Sequence, residues 1–200
     1  MKITNININN LDHAIKGMRA SFNSYDKIDT INNTIGENDL ILMKKLIKGG
    51  SSHRRFLRSI IVSYEIEAPL YWWKEMDKYV VGVNTLSEST MHTLHKSPLS
   101  LNNFAIDAVN SKHGRLLLEQ TINTLNMFIG AYKINNDKNI WKEIIQLLPS
   151  SFIQKRYITC NYEVLWNIYT QRQGHRLSEW QEWRKYIENN VPYFKELFLE

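Results

Sequence analysis

The chain lacks most of the residues that build covalently stapled or metal-held folds. It has a single cysteine, Cys160, in 200 residues, which excludes an internal disulfide framework and any multi-cysteine metal site. No apolar run approaches the roughly 18 residues that a membrane-spanning helix needs. The opening segment Met1-Lys2-Ile3-Thr4-Asn5-Ile6-Asn7 alternates polar and apolar residues and has no apolar block of the secretory kind. These absences predict a cytoplasmic protein with no membrane partner. No repeat, low-complexity linker or compositional break divides the sequence, so residues 1–200 read as a single domain. A strong charge bias is missing too. Lys+Arg 25 against Asp+Glu 20 gives +5, too mild for a protein that coats nucleic acid, and no direct DNA binding is expected.

What is present suffices for a core: 43% of the residues are hydrophobic and 22% charged, ordinary values for a globular domain. Ile6 and Ile8 between asparagines predict a first strand, and a helix follows from Leu11 to about Phe22. Residues 23–37 read as a loop. Asn38 or Asp39 is placed to cap a second helix, which Gly49-Gly50 ends. The clearest strand is Ser59 to Glu67, with Ile60, Val62, Tyr64 and Ile66 on one face. Ala68-Pro69 then opens a helix whose Tyr71-Trp72-Trp73 run must be buried or at an interface. A short segment from Val80 to Leu86 follows. Helices are expected over 116–132, 140–148, 153–171 and 177–189. A few strands among many helices in irregular order make the class α+β.

Three constellations carry candidate chemistry. On the predicted 153–171 helix, Asn161 and Arg172 share a face roughly 16 Å apart, with Asn167 flanking it and apolar residues between. Such amides and a guanidinium suit an extended polar ligand, the amides reading a base or ribose and the arginine gripping phosphate or a carbonyl. The same residues also suit a solvated stripe on an amphipathic helix. His53, Arg54, Arg55 and Arg58 follow Gly49-Gly50-Ser51-Ser52 and suit a phosphate, or simply a solvated basic loop; no Walker-type loop is present. Ser87-Glu88-Ser89-Thr90 gathers hydroxyls around a carboxylate, which fits a sugar or base and fits equally a helix N-terminus capped by Ser87. The six histidines are too scattered to argue a metal site.

Taken in order, these segments resemble the flavin-dependent thymidylate synthase (ThyX-like) family from about Ile47 onward. The C-terminal half carries the better match: Leu148-Pro149, then Asn161, Asn167 and Arg172 at the family spacing, and Val191-Pro192-Tyr193-Phe194 before a short apolar helix. His53 ahead of the Ser59–Glu67 strand resembles the family's flavin-contacting histidine. The family's Arg-His-Arg signature is eroded, falling on Lys78-Tyr79-Val80, and its Asn-Glu-x-Ser portion falls near Ser87-Glu88-Ser89. Replacing the first arginine by Lys78 keeps the charge and loses the planar bidentate grip.

The resemblance implies a thymidylate synthase-complementing-protein-like fold, a central antiparallel sheet flanked by helices, assembled as a homotetramer with sites between subunits. It implies a dUMP-like pyrimidine nucleotide and FAD as ligands, with reduced folate and NADPH joining where the chain catalyses. Arg172 would polarise the base. His53, Arg54, Arg55, Lys78, Ser87, Glu88, Ser89, Asn161 and Asn167 would bind nucleotide or flavin. Two functions follow from the mixture of kept and eroded residues. One is a divergent methyl- or hydroxymethyltransferase acting on a pyrimidine nucleotide. The other is a catalytically inactive protein that sequesters or senses a nucleotide, for instance a phage-encoded one binding a signalling nucleotide in the host cytoplasm.

Overall fold

Alternation of apolar and polar residues after Ile60 produces the most deeply buried strand of the protein. In the computed structural model, which describes all 200 residues, this strand is β2 (Ile61–Pro69). Val62, Ile66 and the preceding Ile60 are fully buried, and Tyr64 nearly so, while Ser63, Glu65 and Glu67 face the other way. It pairs antiparallel with β1 (Lys2–Asn9) on one side and with β4 (Ile153–Asn161) on the other; β3 (Val83–Ser87) pairs antiparallel with the outer edge of β4. The sheet order is therefore β1-β2-β4-β3, and the class is α+β, as the sequence predicts.

Nine helices surround the sheet: α1 (Leu11–Ala20), α2 (Glu37–Lys48), α3 (Leu70–Met76), α4 (Thr90–Thr93), α5 (Lys112–Asn135), α6 (Lys138–Gln146), α7 (Tyr162–Gln171), α8 (Ser178–Asn190) and α9 (Phe194–Phe198). The main core joins the inner sheet face to α1, α3, α7, α8 and α9, with Trp72, Trp73, Trp180 and Trp183 all fully or almost fully buried. The Tyr71-Trp72-Trp73 run thus divides: the two tryptophans enter this core, and Tyr71 stays half-buried with its hydroxyl donating to Glu179. A second, smaller core lies beneath α5 and α6 around Leu125, Ile129, Ile144 and Phe104.

Three local expectations are corrected. The segment 153–161 is a strand, not the first half of a helix. Its side chains alternate, β-branched and aromatic residues favour a pleated surface, and β2 and β3 supply hydrogen-bonding partners on both edges. The helical period begins only at Tyr162. Asn161 is consequently the N-cap of α7, its Oδ1 accepting from the Val164 N–H at 2.9 Å, and Arg172 stands just past the other end. Second, α2 is not capped by Asn38 or Asp39; Gly36 precedes it, and its first-turn N–H groups of Asn38 and Asp39 donate to Asp29 at 2.8 and 3.0 Å. Third, Ser87 closes β3, and Ser89 is the residue that precedes α4.

Asparagine, abundant in this sequence, has a backbone role. Asn5, Asn10, Asn23, Asn32, Asn33 and Asn136 all adopt positive φ, a conformation that asparagine tolerates better than other non-glycine residues. Asn10 enters α1 this way and Asn136 leaves α5.

Asp39 is fully buried and has a complete set of donors. Arg19 Nε donates to it at 2.7 Å, and the backbone N–H groups of Asp29 and Thr30 and the Thr30 hydroxyl donate at 2.8–3.0 Å. This ion pair ties α1 to α2 and to the loop between them. Asp39→Ala leaves the buried Arg19 guanidinium without its carboxylate and is expected to lower stability by about 3–5 kcal/mol. Urea unfolding checks this as a lower midpoint at unchanged slope.

Candidate functional site

The chain turns back from α3 through Lys78-Tyr79-Val80-Val81-Gly82 to start β3, and this turn lies against one face of α7. Gly82 makes the approach possible. Its φ is +73°, and a Cβ there would stand 2.9 Å from Val164 Cγ2, closer than side chains pack. Between the turn and the helix opens a cleft of about 560 Å³, within the size range of small-ligand sites. Val80, Val81, Val164 and Ile168 supply its apolar lining; Asn161, Asn167 and Gln171 supply amides; Arg58, Lys78 and Glu163 supply charge.

Two carboxylates organise the cations here. Glu163, in the first turn of α7 and largely buried, accepts from Arg54 Nε at 3.1 Å and from Arg58 Nε. Burial opposes its ionisation, but the hydrogen bonds from Arg58 and then Arg54 overcome that and hold the carboxyl below its ordinary value. Glu75, at the end of α3, takes Lys78 Nζ at 2.9 Å and Arg172 Nη1 at 3.2 Å, and these two partners, Lys78 foremost, hold its carboxyl low as well. Four cations thus face two carboxylates, and two positive charges remain for an anionic ligand. Both arginines on Glu163 are bound through Nε, and for Arg58, which lines the cleft, the outer nitrogens of the guanidinium fork stay available for a phosphate.

The structure brings together only part of the predicted set. Arg58, Lys78, Asn161 and Asn167 line the cleft, and Arg54 stands behind it through Glu163. Arg172 does not line it. Its residue is 9% exposed, its guanidinium also donates to the Glu75 backbone carbonyl at 3.2 Å, and it lies 4.4 and 5.0 Å from the ring centroids of Trp180 and Tyr79. His53 and Arg55 are exposed outside the cleft, Arg55 donating to the Ser52 carbonyl. Ser87, Glu88 and Ser89 lie at the far end of β3, roughly 16 Å of strand from Gly82. There the Glu88 backbone pairs with Lys155 and with the Gln154 side chain.

Glu163, Gln171 and the Val80-Val81-Gly82 turn were missing from the sequence expectation. A carboxylate that contacts a basic cluster only in space cannot be recognised when 105 residues separate Arg58 from Glu163 in sequence. The one available signal was the acid in the first helical turn, where the dipole favours it. Cys160 is buried, and that burial pushes its thiol up to about 12. No group of three or more histidine, cysteine or acidic side chains is placed to hold a metal ion, and no helix is long and apolar enough to cross a membrane.

Solved structures identify the fold. Two crystal structures of the flavin-dependent thymidylate synthase ThyX from Helicobacter pylori, each with FAD and dUMP, match at TM-score 0.75 and 20% identity. The match covers 99% of this chain and 98% and 97% of theirs. A UMP/dUMP methylase, PolB from Streptomyces cacaoi bound with 5-Br dUMP, matches at TM-score 0.64 and 16% identity over 99% of this chain and 95% of that one. No family sequence profile and no curated relative matches the chain. The chain has the fold of the flavin-dependent thymidylate synthases, as its motifs led one to expect.

Glu163 joins the basic segment 54–58 to α7, and its folded-state carboxyl titrates below the ordinary value of 4.5. Its contribution is therefore complete above that ordinary value and is lost as pH falls through the lowered one. Glu163→Gln is expected to destabilise the protein by about 1.5–3 kcal/mol at neutral pH. The gap between the two proteins should close as the solution is acidified below the carboxylate range. Thermal melts across a pH series measure both effects.

Proposed function

We propose that the cleft between α7 and the 78–82 turn binds a dUMP-like pyrimidine nucleotide together with a flavin. The observation that carries this reading is the coincidence of three ligand chemistries in one cleft. An apolar lining suits a planar ring, the amides of Asn161 and Asn167 suit its polar edge, and the excess charge of Arg58 and Lys78 suits a phosphate. The residues present fit a flavin in kind, since ring, edge and phosphate each find a partner. When bound, a flavin supplies hydride chemistry; the chain's own residues bind, orient and shield. The likeness in fold to proteins solved with FAD and dUMP supports the reading.

In this reading the active unit is a homotetramer. His53, Arg55 and Ser87-Glu88-Ser89 lie outside the protomer's own cleft and serve ligands held at a neighbouring subunit. Arg172 polarises the base once ligand binding draws it away from Glu75. For methyl or hydroxymethyl transfer, reduced folate would supply the carbon unit and NADPH the reducing equivalents.

A second reading is favoured by one specific observation, the state of Arg172. A guanidinium held by Glu75 and packed against Trp180 and Tyr79 acts as a rivet joining α3, α7 and α8. The chain then holds its nucleotide without transforming it, as a sequestering or sensing protein would.

Absorbance and mass spectrometry of whatever leaves the purified protein on denaturation test the first reading. A flavin chromophore with a pyrimidine nucleotide is expected, and Arg58→Ala and Lys78→Ala should each weaken dUMP binding by about tenfold. Colourless protein that takes up neither added flavin nor dUMP sinks it. Arg172→Met separates the two readings: the enzyme loses turnover, whereas the binding protein returns intact nucleotide before and after the change and loses only thermal stability.

A further inference from the structure

The cleft face of α7 presents amides and apolar side chains in alternation: Asn161, Val164, Asn167, Ile168 and Gln171. The amides are not equivalent. Asn161 spends its Oδ1 on capping its own helix and keeps only its Nδ2 for the cleft, much as Gln154 and Asn126 elsewhere are tied to backbone groups of Glu88 and Leu99. Asn167 and Gln171 are exposed to the cleft, and neither side chain has a hydrogen-bond partner within the protein. They stand four residues apart, hence as neighbours on one helix face, with buried Ile168 beside them. Arg172, one residue further, is turned inward. The last recognition group on this wall is therefore a carboxamide and not a guanidinium.

That substitution of chemistry has a consequence for the ligand. A carboxamide carries a donor and an acceptor side by side and bears no charge. It gains less from a phosphate than a cation does, and the fork of Arg58 and the ammonium of Lys78 already suit that group. It complements a heterocycle edge on which a carbonyl adjoins an N–H, while Val164 and Ile168 cover the ring. Uracil and the isoalloxazine ring both carry such an edge.

We propose that Gln171, paired with Asn167, is the ring-reading element of this cleft and determines its preference for a ligand with an imide edge over a bare phosphate. The proposal rests on the nucleotide-and-flavin reading and extends it to a residue to which that reading gives no role. Gln171 is exposed and makes no internal bond, so its replacement spares the fold; a circular-dichroism melt of each variant verifies that.

Titration calorimetry on the full chain tests it with three probes: dUMP, FMN and ribose 5-phosphate, which keeps the phosphate and lacks the ring. Gln171→Leu is expected to weaken dUMP or FMN by about tenfold and to leave ribose 5-phosphate unchanged. Asn167→Leu should affect the same ring-bearing probe, and Arg58→Ala should weaken all three. Loss confined to dUMP assigns the edge to the pyrimidine; loss confined to FMN assigns it to the flavin. Unchanged affinity for both ring-bearing probes in Gln171→Leu overturns the proposal while leaving the nucleotide reading standing, and so does an equal loss for ribose 5-phosphate. A parent protein that binds none of the three overturns that reading and this inference together.

Discussion

The nine-residue antiparallel ladder between β2 and β4, from Ile61↔Asn161 to Pro69↔Ile153, determines where every cleft residue stands. Each strand of the pair hands directly into a helix, and because the strands run in opposite directions those helices leave from opposite ends. Pro69 releases α3 at one end; Asn161 releases α7 at the other. The two helices then bring their C-terminal ends together, which is why Glu75 meets Arg172. β3 has to begin beside Cys160 to pair with β4, and that requirement lays the 78–82 turn across α7. A slip of one residue in the ladder would turn the slipped strand's side chains to the opposite face and shift α7 relative to the 78–82 turn.

The charge of the cleft is arranged in two units of the same kind, a carboxylate holding two cations. Glu163 with Arg54 and Arg58 joins the segment before β2 to the start of α7; Glu75 with Lys78 and Arg172 joins the end of α3 to the end of α7. Each unit satisfies its carboxylate and leaves one positive charge over, so the cleft stays attractive to anions without leaving a guanidinium loose in solvent. The units differ in access. Arg58 and Lys78 are exposed at the cleft, whereas Arg172 is enclosed by Trp180 and Tyr79. The first pair presents charge to the cleft, whereas the Arg172 guanidinium joins the ends of α3 and α7 to α8.

The fold class was legible because periodicity is a local property. Ile60, Val62, Tyr64 and Ile66 announce β2 without reference to anything else, and the burial of Trp72 and Trp73 follows from their bulk and apolarity. Segment 153–161 was not legible, since Ile153, Ile158 and Cys160 continue without a break into the apolar positions of α7. Only the strands on either side decide that it is extended. The spacing of Asn161, Asn167 and Arg172 suggests one helix face, but Asn161 caps α7 and Arg172 lies past its other end, its direction set by Glu75, Trp180 and Tyr79 from three separate places in the chain.

By itself the sequence determined the mixture of strands and helices, the modest positive charge, the single cysteine and the candidate amides Asn161 and Asn167. It also carried, in the order of its motifs, the fold seen in solved flavin-dependent thymidylate synthases. Tertiary structure alone decided which of those residues meet: that Glu163 gathers Arg54 and Arg58, that Gln171 and not Arg172 faces the cleft, and that Ser87-Glu88-Ser89 lies a strand's length away. The division has a physical cause. Hydrophobic period and backbone preference act over a few residues, whereas an ion pair or a cleft wall depends on approach distances that only the completed sheet imposes.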